Sequence, residues 1–213
     1  MNTISFEQFK TTENMPETGS VIRLPSTDEI AQCRYSDAIF ESTCAKNING
    51  NILEIGTSFG KGTADFARNT TFTVFTVNPL PEQLPEMKMI THRIGQDEIG
   101  KCYREEGLTN VIQIYENSKD LKLNKDMGIM LVFVDGNHTS EFAYMDAVKC
   151  FDVLEVGGYL IWHDTTPKYR DTYGWVNAVM LGMERFCREH SYDPVHVDGT
   201  WCSYIKKRIE YEL

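Results

Sequence analysis

Short apolar segments alternate with helical ones along most of this chain of 213 residues, and that alternation limits the possible folds more than any other feature. The short segments are rich in β-branched and aromatic residues, which is typical of buried strands. Strands that alternate with helices predict βαβ units, and hence a parallel sheet with helices on both faces. The predicted strands span residues 52–55, 71–77, 111–115, 129–134, 159–162, 194–197 and 200–205.

The last two predicted strands flank Asp198-Gly199, a dipeptide that favours a tight hairpin turn. The predicted fold class is therefore α/β, with a doubly wound, mostly parallel sheet of seven strands that ends in a C-terminal antiparallel hairpin. Residues 1–27 contain two prolines and show no sustained hydrophobic period. We predict an irregular N-terminal segment or lid there, followed by a single domain over residues 28–213.

Composition argues against several classes of protein. The formal net charge of -10 disfavours a broad nucleic-acid-binding surface, because such surfaces need clustered Lys and Arg. No window approaches the roughly 18 apolar residues of a membrane-spanning helix, and residues 1–10 lack the apolar core of a signal peptide. The six cysteines form no CxxC pair, which favours reduced, buried thiols. We predict a cytoplasmic protein whose partner is a small molecule, with no nucleic acid and no membrane.

The first predicted strand runs into a glycine-rich turn, and a helical pattern follows at once. The glycines are Gly56, Gly60 and Gly62. Glycine tolerates positive φ and lets a ligand approach the backbone closely, and the free N–H groups at the start of a helix favour an electron-rich or anionic partner. The turn therefore predicts a site for a nucleotide-like ligand. Its Gly56-x-x-x-Gly60 spacing differs from the G-x-G-x-x-G of dinucleotide sites.

Polar residues concentrate where the predicted strands end, although the strands themselves are almost wholly apolar. In an open parallel α/β sheet, ligands bind beyond the carboxyl ends of the strands. That rule selects a set of candidate site residues, which consists of the glycine turn, Asn78, Asn117, Ser118, residues 135–138 and residues 163–165.

Three segments of the chain resemble one known family. They are Glu54-Ile55-Gly56 with the turn that follows, Asp135-Gly136-Asn137-His138, and the run from Gly157-Gly158 to His163-Asp164. Together they resemble the class I S-adenosylmethionine-dependent methyltransferases, in the small-molecule O-methyltransferase branch related to catechol O-methyltransferase and to the macrocin O-methyltransferase-like proteins. The resemblance implies a Rossmann-like methyltransferase fold, S-adenosyl-L-methionine as the cofactor, and O-methylation of a small-molecule hydroxyl, on a sugar or another secondary metabolite.

The resemblance also implies where the cofactor lies. The glycine turn faces the methionine portion, and Ser118 lies near the adenine. The family usually has an acidic residue at the end of the second strand to hold the ribose, and the candidates here are Thr76, Asn78 and, further along, Glu82. The full set of cofactor residues implied in this way is Glu54, Gly56, Thr57, Ser58, Gly60, Thr63, Asn78, Asn117, Ser118 and Asp135.

In the metal-dependent branch of this family, an aspartate after the fourth strand and an Asp-Asn pair after the fifth hold a divalent ion. The resemblance places Asp135 and Asp164 on the two aspartates and Thr165 on the asparagine. Mg²⁺ takes oxygen ligands and readily keeps waters, so these three residues are the predicted ligands of a magnesium ion. The alternative is that no metal binds and the carboxylates position the substrate.

His138 falls on the general-base position of the family. Histidine suits that role because its unperturbed pKa lies near neutrality. The predicted catalytic residues are His138, Asp135 and Asp164, and the alternative for His138 is a capping or packing role. His163 is a second candidate for a metal or substrate contact, with a structural role as its alternative.

The same residues are also compatible with two other functions. One is an enzyme of different chemistry on the same scaffold, because a fold does not determine a reaction. The other is a cofactor-binding module without catalysis, which the absence of an acidic residue at Asn78 and the change to Thr165 would favour.

Overall fold

The computed structural model describes residues 1–22, 28–84 and 94–209, and its centre is one mixed sheet of eight strands. The strands are β1 (Asn2–Ile4), β2 (Asn51–Ile55), β3 (Val74–Val77), β4 (Val111–Ile114), β5 (Ile129–Val134), β6 (Leu154–Trp162), β7 (Val195–Val197) and β8 (Ser203–Lys206). They lie in the order β1-β7-β8-β6-β5-β2-β3-β4. β8 runs antiparallel between β6 and β7, and the other neighbours pair in parallel. The predicted α/β class, with a mostly parallel sheet and a C-terminal antiparallel hairpin, is confirmed.

Helices cover both faces of the sheet. In the described residues they are α1 (Phe6–Thr12), α2 (Glu29–Asn47), α3 (Lys61–Asn69), α4 (Lys101–Glu105), α5 (Ser140–Val153) and α6 (Gly174–Glu189). Leu131 and Phe133 of β5 pack on the side of α1, α2 and α3, whereas Val132 and Val134 pack on the side of α5 and α6. Successive side chains of a strand point to opposite faces, so a continuous apolar strand fits a sheet that is buried on both sides. No helix in the described parts of the chain has the length and apolar character needed to cross a membrane.

The sheet has one strand more than the seven predicted, because residues 2–12 are regular where the sequence predicts an irregular segment. β1 pairs in parallel with β7, and α1 begins with a capping box in which Ser5 and Gln8 bond to each other's main-chain N–H groups. Phe9 is fully buried, with its ring 4.9 Å from that of Phe40 and 5.2 Å from that of Tyr204. A three-residue strand is too short to show a period of two, so hydrophobic patterning does not detect it.

The sequence of residues 95–107 suggests one helix that ends at Gly107, but helix α4 is shorter and covers only Lys101–Glu105. Gly100 adopts a left-handed conformation at its N-terminus, with φ of 72°. A Cβ at Gly100 would lie 2.3 Å from the ring of Tyr103, so a side chain there would force that ring to move. Gly107 ends this region with φ of 68°. Because Gly100 is left-handed, a right-handed helix cannot continue through it, and α4 begins only after this residue.

Gly56 brings the end of β2 against the end of β5. Its φ is 110°, and a Cβ at this position would lie 2.0 Å from the carbonyl oxygen of Asp135. The Asp135 N–H donates to the carbonyl of Ile55 at 2.8 Å, which holds the two strand ends together. No side chain fits between them. Glycine at position 56 is therefore required by two constraints at once, the left-handed backbone and the direct contact.

We predict that Gly56→Ala destabilises the protein by about 3 kcal/mol or more, since the left-handed penalty and the overlap with Asp135 add together. The control is Gly107→Ala, which also has a positive φ, 68°, but no atom within 4 Å of the added Cβ. The control should cost about 1 kcal/mol. Urea unfolding followed by circular dichroism measures both, and equal losses would contradict the role of the contact.

Candidate active site

The glycine turn after β2 is closed by a neighbouring segment of the chain. Gly60 is the left-handed N-terminal cap of α3, with φ of 78°, and its N–H donates to the Thr57 carbonyl at 2.7 Å. The Gly100 N–H donates to the Ser58 carbonyl at 2.9 Å. A Cβ on Gly60 would lie 2.8 Å from the Gly100 Cα. The second glycine of the motif therefore allows close contact with the segment before α4.

A series of buried hydrogen bonds lies beneath the turn. Gln113 Nε2 donates to Thr57 Oγ1 at 3.0 Å, and the hydroxyls of Thr57 and Thr76 are 2.7 Å apart. The hydroxyls of Thr76 and Thr63 each donate to Glu54 Oε2 at 2.5 Å. Because Thr76 uses its hydrogen on Glu54, Thr57 must be the donor to Thr76. The bonds therefore run in one direction, from β4 across β3 to the carboxyl group on β2.

Burial raises the pKa of Glu54 to about 8, although the hydrogen bonds from Thr63 and Thr76 oppose the shift. At neutral pH the folded protein therefore holds Glu54 mainly as a neutral acid. Glu54, Thr57 and Thr63 are all predicted cofactor residues, and all three are buried beneath the turn. Their placement shows how they support its shape. A direct contact between them and a cofactor stays a prediction.

The remaining predicted cofactor residues lie at the ends of β3 and β4. Asn78 Oδ1 accepts the Ser58 N–H at 3.0 Å, so Asn78 ties the glycine turn to β3. Glu82 is exposed in a short 3₁₀ turn. Asn117 is buried, and its side-chain oxygen accepts a main-chain N–H two residues further on at 3.1 Å. Ser118 beside it is half-buried. These residues share one edge of the sheet, and their contacts with a cofactor stay predictions.

Two aspartates and two histidines meet beyond the ends of β5 and β6. His138 Nε2 lies 2.6 Å from Asp164 Oδ2 and 3.5 Å from Asp135 Oδ1. His163 Nδ1 lies 3.5 Å from Asp135 Oδ1 and 3.6 Å from Asp164 Oδ1. Asp164 is held in a left-handed conformation, with φ of 56°. The structure thus brings the predicted catalytic residues together, and His163 joins them.

Opposite charges control protonation in this cluster. Burial alone would lower the pKa of His138, but the hydrogen bonds and charges of Asp135 and Asp164 raise it to about 10. Burial would raise the pKa of Asp164, but the charge of His163 and the hydrogen bonds from both histidines hold it well below its usual value. The same interactions lower the pKa of Asp135. Without a further cation, both carboxylates are ionised and His138 is protonated at neutral pH.

Asp37, on α2, belongs to this cluster although no sequence motif marks it. His163 Nε2 lies 3.3 Å from Asp37 Oδ2, and Asp37 Oδ1 accepts the Trp201 N–H at 2.7 Å. The Asp37 side chain is buried. Its partners lie more than a hundred residues further along the chain. Only the folded structure brings these residues into contact.

Thr165, the third predicted metal ligand, is fully buried. Its hydroxyl lies 3.1 Å from the Trp162 carbonyl and 3.3 Å from the Trp201 carbonyl. A hydroxyl has one hydrogen to donate, and main-chain oxygens occupy it here. These contacts account for the burial of Thr165 without a metal ion, so its role as a ligand stays a prediction.

The mostly parallel sheet carries the glycine turn at the end of β2 and the cluster of Asp135, His138, His163 and Asp164 at the ends of β5 and β6, the next two strands in the sheet. This acid–imidazole cluster beside a glycine turn is an arrangement typical of the class of Rossmann-like methyltransferases. Residues 53–165, which are more than half of the chain, match a family model described as a methyltransferase domain. The chain belongs to this methyltransferase family. The predicted enzyme class, an S-adenosylmethionine-dependent methyltransferase, is thereby confirmed. No match was found among curated proteins.

Solved structures with the same fold include three methyltransferases. The O-methyltransferase NovP is 16% identical, with a TM-score of 0.57, and the match covers 84% of this chain and 77% of that one. The SAH-bound methyltransferase PaMTH1 of Podospora anserina is 14% identical, with a TM-score of 0.56 and 95% of each chain covered. A putative caffeoyl-CoA O-methyltransferase from Staphylococcus aureus is 15% identical, with a TM-score of 0.58, and the match covers 94% of this chain and 90% of that one. At these identities the similarity establishes the fold.

The protonation of Glu54 makes a prediction about stability and pH. Its pKa is about 8 in the folded protein and near 4.5 in the unfolded chain, so ionisation favours unfolding between these values. Wild type should lose on the order of 2 to 4 kcal/mol relative to Glu54→Gln as pH rises from 4.5 to 8. Glutamine resembles the neutral acid and keeps an acceptor for Thr63 and Thr76. Urea unfolding at several pH values measures the difference, and parallel pH curves for the two proteins would contradict it.

Proposed function

We propose that the protein transfers a methyl group from S-adenosyl-L-methionine to a hydroxyl of a small molecule, such as a sugar or another secondary metabolite. The observation that carries the proposal is the position of His138, whose Nε2 lies within 3.5 Å of two carboxylates at the same sheet edge as the glycine turn. The printed names of NovP and of the putative caffeoyl-CoA enzyme, both O-methyltransferases, support a hydroxyl acceptor.

The cofactor is proposed to lie across the ends of β2, β3 and β4. The turn at residues 56–60 would face the methionine portion, and Asn117 and Ser118 would lie near the adenine. Asn78 stands where an acidic residue commonly binds the ribose, and one of its side-chain atoms already holds the turn. The contact between Gly56 and the Asp135 carbonyl supports this placement, because it sets the turn directly beside the acid–imidazole cluster.

His138 is the proposed general base. The acceptor oxygen attacks the methyl carbon, the carbon–sulfur bond breaks with its electron pair moving to sulfur, and S-adenosylhomocysteine forms. The acceptor proton passes to the neutral form of His138. The main contribution of the protein is to align the acceptor oxygen, the methyl carbon and the sulfur, which removes much of the entropic cost of the reaction.

His138 must be neutral before it can accept that proton, whereas Asp135 and Asp164 raise its pKa to about 10. A positive charge beside the carboxylates would weaken their effect and lower the pKa of His138. The sulfonium of the cofactor has this sign, and so does a divalent cation. Cation binding at the carboxylates and the basicity of His138 are therefore linked.

A divalent ion fits the donor groups at this edge. Asp135 and Asp164 present ionised carboxylates, which are the ligands that Mg²⁺ prefers. Thr165 completes the set that the family resemblance implies, although its hydroxyl contacts main-chain carbonyls. When bound, such an ion would lower the pKa of an acceptor hydroxyl. Asp135 and Asp164 would then orient the acceptor through the ion, and His138 would remain next to it.

Cofactor binding is the first test. We expect S-adenosylmethionine and S-adenosylhomocysteine to bind in isothermal titration calorimetry, because the turn at residues 56–60 is proposed to receive their methionine portion. Gly60→Val should weaken both at least about tenfold, since a branched side chain would meet Gly100 and Tyr103. Circular dichroism checks that the variant is folded. Absence of binding to the wild-type protein would refute the proposed function.

The role of His138 is the second test. We expect His138→Ala to lower turnover about 10² to 10⁴-fold, because proton transfer by a positioned group contributes that much, with little change in S-adenosylhomocysteine affinity. Formation of S-adenosylhomocysteine with a panel of phenols and sugars reports the rate. His190→Ala is the control, since this histidine stacks on Phe186 at the end of α6. A variant that binds cofactor and turns over at the wild-type rate would remove His138 as the base, and wild-type binding without turnover would favour a non-catalytic module.

A further inference from the structure

Asp146, on α5, is a buried carboxylate without a hydrogen-bond partner. The residue is 2% exposed, and neither side-chain oxygen makes a hydrogen bond within the described residues. Lys149 lies nearly one helical turn further along α5 and has the opposite charge, but its Nζ donates to the carbonyls of Ser118 and Lys119 at 2.7 Å and 2.6 Å. Nearly all buried polar groups in native proteins have a partner, so one without a partner commonly belongs to a functional site.

The Asp146 carboxylate lies between the ends of β4 and β5. A Cβ on Gly136, which follows β5, would lie 3.5 Å from Asp146 Oδ2. The hydroxyl of Ser118, which follows β4, is close enough to act on the carboxyl group and favour its ionised form. Ser118 is half-buried, whereas Asp146 is enclosed. A ligand at this edge of the sheet could therefore contact Ser118, and Asp146 would act on that ligand through Ser118.

The main chain around Ser118 is fixed. Its carbonyl accepts the Leu121 N–H at 3.3 Å as well as the ammonium group on α5. The side-chain oxygen of the neighbouring Asn117 accepts the Lys119 N–H at 3.1 Å. Rotation of the side chain and of its hydroxyl is therefore the freedom that remains at Ser118. Such a rotation can direct the Ser118 hydroxyl at Asp146 without a change in the backbone.

The ionisation of Asp146 sets the direction of that hydrogen bond. Burial raises the pKa of Asp146 to about 6, although the Ser118 hydroxyl and the charge of Lys149 oppose the shift. Asp146 is therefore mainly ionised at neutral pH, and an ionised carboxylate only accepts hydrogen bonds. Ser118 has one hydrogen, and donating it to a charged acceptor is favoured over donating it to a neutral one. The lone pairs of the Ser118 oxygen are then left for a donor on the ligand.

Adenine presents such a donor. Its 6-amino group donates hydrogen bonds, whereas a 6-oxo group, as in hypoxanthine, accepts them. A free serine hydroxyl suits both bases, because it can donate or accept. A serine hydroxyl whose hydrogen is held by a carboxylate suits only the amino group. With a 6-oxo group in the same place, two acceptor oxygens would face each other without a hydrogen between them.

We infer that Asp146 is a positioning residue for the cofactor: it accepts the hydrogen of the Ser118 hydroxyl, so that Ser118 accepts from the 6-amino group of adenine and disfavours a 6-oxo purine. The inference rests on the proposed function, in which Ser118 lies near the adenine. A purely structural role for Asp146 fits less well. A buried carboxylate without hydrogen bonds destabilises the fold, and Lys149 already ties α5 to the loop after β4.

Isothermal titration calorimetry with S-adenosylhomocysteine and its 6-oxo analogue, S-inosylhomocysteine, tests the inference. We expect wild type to bind the adenine compound at least about tenfold more tightly, because the 6-oxo analogue leaves acceptors without donors. Asp146→Asn should reduce this ratio to roughly threefold or less, since an amide can donate as well as accept and no longer fixes the Ser118 hydroxyl. Ser118→Ala should reduce it to the same level. The double variant should match Ser118→Ala, because Asp146 acts through Ser118.

Asp152→Asn is the matched control, since it removes an exposed carboxylate from the same helix and should keep the wild-type ratio. Thermal unfolding checks that each variant is folded, and Asp146→Asn should be at least as stable as wild type because it removes a buried charge and keeps the shape. A structural role would weaken both ligands alike. An unchanged ratio in Asp146→Asn or in Ser118→Ala would overturn the inference and leave the proposed function standing, and so would a wild-type protein that binds both ligands equally. Failure of wild type to bind either ligand would refute the proposed function, and the inference with it.

Discussion

The contact between Gly56 and the carbonyl of Asp135 is the constraint on which the rest of the site depends. It places the end of β2 directly against the end of β5, with no room for a side chain between them. The glycine turn and the acid–imidazole cluster are therefore parts of one edge of the sheet at a fixed separation. A methyl donor on the turn and an acceptor at the cluster would meet there, because methyl transfer requires a short, linear arrangement of three atoms.

The side chains beneath the glycine turn form a polar network in which one side chain satisfies the next. Five side chains, one each from β2, the glycine turn, β3, β4 and α3, satisfy one another through hydrogen bonds that run toward Glu54. Buried hydrogen-bond networks are rigid, because each bond fixes the position of both its partners. The cluster of Asp135, His138 and Asp164 is stabilised in a different way. Each of its groups is stabilised by neighbouring opposite charges and not by neutral hydrogen-bond donors. The hydrogen-bonded network therefore supports the proposed cofactor site, whereas the charged residues lie next to the proposed acceptor site.

The sequence predicts most of the fold and the main members of the site for identifiable reasons. Buried parallel strands are apolar throughout, so β5 and the polar residues Asp135 and His138 that follow it are visible in the pattern. Strand β1 is too short for that signal, although the spacing of Ser5 and Gln8 is that of a capping box. Asp37 could not be predicted, because nothing near it in the sequence distinguishes it from an ordinary helical aspartate. Its significance comes from contacts with Trp201 and His163, which only the tertiary structure creates.

The pairing of β1 with β7 also affects the order in which the chain can fold. Strands β2 to β6 lie on one continuous part of the sequence and can pair as they leave the ribosome, whereas β1 has to wait for residues 195–197. β8 then inserts between β6 and β7. Contacts between such distant residues form slowly, and incomplete intermediates expose apolar surface. The ring of Phe9 packs between Phe40 and Tyr204, so its burial is complete only after residue 204 has joined the sheet.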